Sequence, residues 1–152
     1  MFLTYFRVLK TASNSPLLPA VLEGVSRWCH LLNVDFMFEI VHALLKLLQQ
    51  ASLPLHSAMY CAITAFQALK NAGDVFRIDL SSYYHFIYPK LLQVPLVPDA
   101  GTSREGEETL EEVTVRCLQL MLASKTYRMA NRSAAFAKRL ASMAIQAVPG
   151  AR

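Results

Sequence analysis

Between Leu47 and Leu69 the chain carries no Asp, Glu, Lys or Arg. A run of that length must be hidden from water, either across a bilayer or inside a packed core. Gln49, Gln50, Ser52, Pro54, His56 and Ser57 interrupt it. A spanning helix needs about 20 predominantly apolar residues with its backbone bonds kept inside the segment. The run therefore reads as part of a protein core and not as a membrane span. Composition agrees: hydrophobic residues make up 54% and charged residues 17% of 152 residues, with a mean hydropathy of +0.30. Disordered chains show the reverse balance, and this length suits one domain with a continuous core.

Helical periodicity runs through the chain, with no sustained strand-like alternation. The pattern predicts helices over about 2–11, 16–32, 35–50, 54–72, 79–92, 104–123 and 131–148, with a loop at 93–106. Ser15, Asp35, Asp79 and Asn131 are the expected caps, and Pro89 is expected to kink the fifth helix. Val21, Val25, Trp28 and Leu32 form the expected buried stripe of the second helix, opposite Glu23, Ser26, Arg27 and His30. Phe36, Ile40, Val41, Leu44 and Leu48 belong to the apolar arc of the third. Val113, Cys117, Leu120 and Met121 line the sixth; Phe136, Leu140, Met143 and Ala147 line the seventh.

The chain also repeats itself. Val34-Asp35-Phe36 followed by Lys46-Leu47-Leu48 recurs 44 residues later as Ile78-Asp79-Leu80 followed by Lys90-Leu91-Leu92. Paired helices with a period of roughly 40–47 residues mark HEAT and armadillo arrays. The expected fold is therefore an all-α, HEAT/armadillo-like α-solenoid of about three helix pairs, with residues 1–152 as a single helical-repeat unit.

Few residues suggest chemistry. Cys29, Cys61 and Cys117 are an odd number with no C-x-x-C, which argues against a disulfide framework or a zinc site. Each sits in an apolar helical stretch, where a thiol packs as a small hydrophobe. Glu39 and His42 have the Glu-x-x-His spacing of di-metal bundles, but such sites need a second copy and two further glutamates. There is no H-E-x-x-H, no G-x-S-x-G and no glycine-rich phosphate loop, and 5 glycines leave little material for one. The expectation is a non-enzyme with no cofactor, no metal and no small-molecule substrate. Arg7 and Lys10 break any signal-peptide core after Met1, so no membrane and an intracellular setting are expected.

Charge is the sharper feature. Net charge is +4, with Lys125, Arg128, Arg132, Lys138 and Arg139 gathered after Ser124 and no acid among them, just behind an acidic cluster at 105–112. Arg132 and Arg139, seven apart, share one side of the seventh helix. Such residues can neutralise phosphates in salt-sensitive nucleic-acid binding, or lie as long side chains over an apolar rim. The rim reading is the stronger, because so few charges release few counterions. Tyr83, Tyr84, Phe86 and Tyr88 read better as core packing than as base-stacking platforms.

Several stretches resemble the nucleolar complex protein 3 family: Tyr5-Phe6-Arg7-Val8-Leu9-Lys10, the run from Leu17 to Gly24, His30 through Phe36, Thr64-Ala65-Phe66, Gly73-Asp74-Val75 with Ile78-Asp79, Cys117 through Leu122, and Ala135 through Leu140. They follow the family's order and cover nearly the whole chain. The resemblance implies a HEAT-like scaffold in nucleolar assembly of the large ribosomal subunit, bound to a partner of nucleolar complex protein 2 type on the pre-ribosomal particle. It also implies a nucleolar and nuclear location, a link to DNA replication initiation, and no catalytic residues. An alternative function is direct contact with RNA or chromatin through the basic C-terminal residues. The chain is much shorter than family members and is expected to be a piece of one, and its 93–108 segment departs from the family pattern.

Overall fold

The computed structural model describes residues 2–11, 17–28, 31, 33–49, 53–72, 80–96, 108–123 and 130–146. Among them the regular elements are all helical: α1 (Phe2–Thr11), α2 (Leu18–Trp28), α3 (Val34–Leu48), α4 (Leu55–Ala72), α5 (Ser81–Lys90), a 3-10 turn (Leu91–Leu96), α6 (Leu110–Ala123) and α7 (Ala130–Gln146). The charge-free run becomes α4. From Ser57 to Phe66 every one of its residues is buried, so it has no solvent face. A helix apolar all round has to be covered on all sides, and α2, α3, α5 and α6 all pack against it. No described helix is long and apolar enough to cross a membrane.

The other contacts fall into two rows. In one, α1 packs on α3, α3 on α5, and α7 on the 3-10 turn that continues α5. In the other, α2 and α6 flank α4. The rows are joined where α1 meets α2, α3 meets α4 and α4 meets α5. The α1–α2 crossing is close because Gly24 has no side chain: a Cβ there would lie 3.1 Å from the Tyr5 hydroxyl oxygen. Two adjacent tyrosines fasten α5 in both directions. Tyr83 donates its hydroxyl to the Val41 carbonyl of α3 at 2.6 Å, and Tyr84 donates to the Met121 carbonyl of α6 at 2.6 Å. Met121 lies in the last described turn of α6, and its carbonyl accepts from the Tyr84 hydroxyl.

Helix ends depart from the sequence expectation in instructive ways. Asn33, at φ −66° and ψ 151°, takes the position before α3, and Asp35 lies inside the first turn. There it favours the positive end of the helix dipole instead of capping it. Asn131 is likewise inside α7, which begins at Ala130. α6 starts at Leu110 and not near 104; of the expected start, 104–107 lie outside the described residues. Its true boundary is a capping box. The Thr109 amide donates to Glu112 Oε2 at 2.9 Å, and the Glu112 amide donates to Thr109 Oγ1 at 3.2 Å. The Thr-x-x-Glu spacing that forms it is present in the sequence. Pro89 stands one residue before the end of α5. With no N–H to offer, it starves the preceding turn of a bond, and the chain tightens into the 3-10 turn. That turn occupies 91–96, so the start of the expected 93–106 loop is helical; residues 97–106 are outside the described set. So are Ser15, Asp79, Leu32 and Ala147.

Burial also revises the stripes. Leu18, Leu22 and Ser26 join Val21 and Val25 in the buried face of α2, whereas Trp28 is 47% exposed. Phe36 on α3 is 45% exposed. Val113, Cys117 and Met121 of α6 are buried and Leu120 is only partly so. Phe136 alone of the α7 stripe is fully in the core, with Leu140 and Met143 packed against it.

Since Ile63 is fully buried at the centre of α4, Ile63→Ala should lower unfolding free energy by about 2–5 kcal/mol. Leu3→Ala, at a side chain 75% exposed, should change it by less than about 0.5 kcal/mol. Urea denaturation of the two variants checks the contrast.

Candidate interaction surfaces

Nothing in the described structure concentrates reactive groups. No cluster of three His, Cys, Asp or Glu side chains able to hold a metal occurs among the described residues. Glu39 faces Lys10 of α1 at 3.4 Å, and His42 lies on the exposed side of the same helix. Cys61 and Cys117 are wholly buried, and burial pushes both thiols up, Cys117 to about 12. A thiol held protonated is a poor nucleophile and a poor metal ligand. Cys117 Sγ instead lies 3.5 Å from Met121 Sδ within the core. Cys29 is outside the described residues.

The basic residues singled out in the sequence divide into two groups. Arg132 and Arg139 come together along one side of α7, as their spacing requires. The Arg132 guanidinium carbon lies 4.1 Å above the Tyr84 ring and its Nη2 is 3.3 Å from Ser81 Oγ. That of Arg139 lies 4.0 Å above the Tyr88 ring. Phe136, between them, meets Tyr84 and Tyr88 edge-on, with ring centroids 6.0 and 5.3 Å apart. Cationic and aromatic side chains thus alternate down the α5–α7 contact, each pair attracted by the ring quadrupole. Arg139 Nε is buried there without a hydrogen-bond partner. One face of each guanidinium is already occupied by a tyrosine. Lys138 is exposed on another side of α7; Lys125 and Arg128 lie outside the described residues.

A different surface escaped the sequence reading. Trp28 ends α2, Leu31 follows it, and Phe36 and Phe38 stand at the start of α3; they are 47%, 62%, 45% and 37% exposed. All four belong to one short stretch around the α2–α3 turn. Helical register held a signal for Phe38. Asp35, Glu39, His42 and Lys46 trace the exposed side of α3, and Phe38 falls within that polar stripe. Large apolar side chains grouped at a surface mark interaction sites more often than scattered ones do.

A polar node sits at the opposite row. Arg116 Nη1 of α6 donates to both carboxylate oxygens of Glu108, at 2.5 and 2.8 Å, and Arg116 Nη2 reaches to 3.5 Å from Ser26 Oγ on α2. The Tyr60 hydroxyl of α4 donates to Glu108 Oε2 at 3.3 Å. Ser26, expected on the polar face of its helix, is 3% exposed and donates to the Glu23 carbonyl at 2.8 Å. Burial, then the charges of Glu108 and Glu23, push the Tyr60 phenol up to about 12.

With this geometry in place, comparison with known proteins decides the family. Residues 58–151 match the CBF/Mak21 family. The chain belongs to the CBF/Mak21 family. It is also 37% identical over 150 residues to the nucleolar complex protein 3 homologs of Homo sapiens and Mus musculus, a match covering 98% of this chain and 18% of each relative. The nucleolar complex-associated protein 3 of Arabidopsis thaliana is 22% identical over 177 residues, covering 95% of this chain and 20% of the relative. The resemblance noted in the sequence therefore extends along nearly the whole chain, and the chain spans about a fifth of the length of these relatives. α4 through α7, with the Tyr84–Arg132 and Tyr88–Arg139 stacks, fall within the matched family segment apart from the first three residues of α4.

The raised Tyr60 phenol has a consequence for stability. Its unfolded value is near 10 and its folded value about 12, so the folded chain retains this proton where the unfolded chain has lost it. The contribution is fully present below pH 10 and is lost as pH rises towards about 12. Tyr60→Phe lacks this proton, so across that window it should gain stability relative to the native chain. Urea midpoints of the two proteins, followed as pH is raised, check the sign.

Proposed function

We propose that this chain is a non-catalytic segment of an α-solenoid scaffold that works in the nucleolus, in assembly of the large ribosomal subunit. It holds a protein partner through the apolar surface around the α2–α3 turn. The observation that carries this reading is the run of four large apolar side chains, Trp28, Leu31, Phe36 and Phe38, each partly or largely exposed close together in sequence around the α2–α3 turn, whereas the other exposed large hydrophobes, Leu3, Leu17, Val115 and Ile145, are scattered along the chain. A partner that covers them gains from removal of apolar area from water, and Trp and Phe are suited to the centre of an interface. Three further facts support it. Neighbours two apart in sequence pack side by side in both rows, as stacked helix pairs do. Among the described residues, potential nucleophiles and metal ligands are buried or dispersed. The relatives it resembles are named for a nucleolar complex.

The partner is of nucleolar complex protein 2 type and the setting is the pre-ribosomal particle. A second reading keeps one observation in its favour: α7 has basic residues and no acid, so Lys125, Arg128, Arg132, Lys138 and Arg139 contact RNA or chromatin directly, including in DNA replication initiation. The tyrosine stacking of Arg132 and Arg139 favours the first reading, because it gives these residues a packing role.

Binding of the 152-residue chain to a purified nucleolar complex protein 2-type partner separates the two. Phe36→Asp with Phe38→Asp should weaken the complex on the order of tenfold or more, as loss of an interface hot spot does, in a chain whose circular dichroism shows it still helical. Unchanged partner affinity in that variant would overturn the reading. RNA affinity that falls steeply with salt, and falls further in Arg132→Ala with Arg139→Ala, would establish the second reading instead.

A further inference from the structure

The node built on Arg116 has a property that neither the family match nor the proposed partner surface requires. α2 and α6 both lie against α4, and Arg116 crosses the space between them. One guanidinium nitrogen grips Glu108, just before α6, while the other faces Ser26 on α2. Tyr60, on the helix underneath, donates to the same carboxylate, and the Arg116 guanidinium carbon stands 6.0 Å from the Tyr60 ring centre. The two ion-pair side chains are only about a third exposed, at 33% and 35%. An isolated surface pair contributes little. This one is part of a network in a partly dry setting, where charge-assisted bonds are short and strong. Its geometry needs a planar fork with donors pointing two ways, which Arg has and Lys lacks.

We propose that Arg116 is a latch that fastens α2 to α6 over the buried α4. It makes the three helices of that row move as one body. The buried side chains of α4 from Ser57 to Phe66 are mostly apolar and give non-directional packing, so they keep α2 and α6 apart without fixing how the two are set relative to each other; the bridge through Arg116 supplies that directional contact. Opening the latch lets α2 and α6 shift relative to each other while each keeps its own contact with α4.

The test is a distance measurement in the 152-residue chain. Nitroxide labels go on Ala20→Cys of α2 and Gln119→Cys of α6, both exposed positions, with Cys29→Ser; the buried Cys61 and Cys117 remain. Double electron–electron resonance should give one narrow distance distribution in this background. Arg116→Met and Arg116→Lys should each broaden it and move it to longer distance. Glu108→Arg combined with Arg116→Glu, which restores the ion pair but leaves no donor facing Ser26, should not narrow it again. A distribution in Arg116→Lys identical to that of the background would overturn the proposal, as would a broad distribution in the background itself. Should Arg116→Met fail to fold, the charge-retaining Arg116→Lys decides the matter alone.

Discussion

From Ser57 to Phe66 α4 has no exposed side chain, and the rest of the structure follows from covering that stretch. α4 has Lys70 as its single charged side chain, and its polar groups are dealt with individually. Thr64 returns its hydroxyl to the Tyr60 carbonyl at 2.8 Å, and Tyr60 turns its own towards Glu108; Ser57 Oγ is left buried without a partner. Each covering helix can afford to be amphipathic, because only one of its faces is needed. That division of labour produces two rows: α2 and α6 beside α4, and α3 and α5 behind it. Hydrophobic burial sets the arrangement, while directional contacts such as Tyr83 to Val41 and Tyr84 to Met121 fix the register of α5 within it.

Much of this was legible in the sequence because it depends on local pattern. Each α-helix among the described residues overlaps a stretch of apolar spacing, and the charge-free run, read as part of a core, contains the buried stretch of α4. The 44-residue offset pairs α3 with α5, and these two helices do lie side by side. What failed depended on single residues near boundaries. Asp35 and Asn131 have the chemistry of caps, but the helices begin one or two residues earlier, where Asn33 and Ala130 stand. Trp28 and Phe36 satisfy the helical period yet remain 47% and 45% exposed. Periodicity gives the direction in which a side chain points, and only the fold says whether anything stands there.

The candidate sites were less legible for the same reason. Arg132 and Arg139 could be placed on one side of α7 from their spacing alone. That this side would meet Tyr84 and Tyr88, and so give each guanidinium a ring to cover, is a contact about 50 residues apart in sequence. The Arg116 node is longer in reach still: Ser26 is 90 residues away and Tyr60 is 48 from Glu108. In this chain the conspicuous basic residues pack, and the inconspicuous aromatic residues at the α2–α3 turn face outward.

α4 is the shared interior of both rows. Native-state amide hydrogen exchange tests this residue by residue. The amides from Ala58 to Phe66 should exchange only through global unfolding, with a free energy equal to that from denaturant, and more slowly than those of α1 or α7. Exchange of α4 through local opening, while α2, α3 and α6 stay protected, would contradict it.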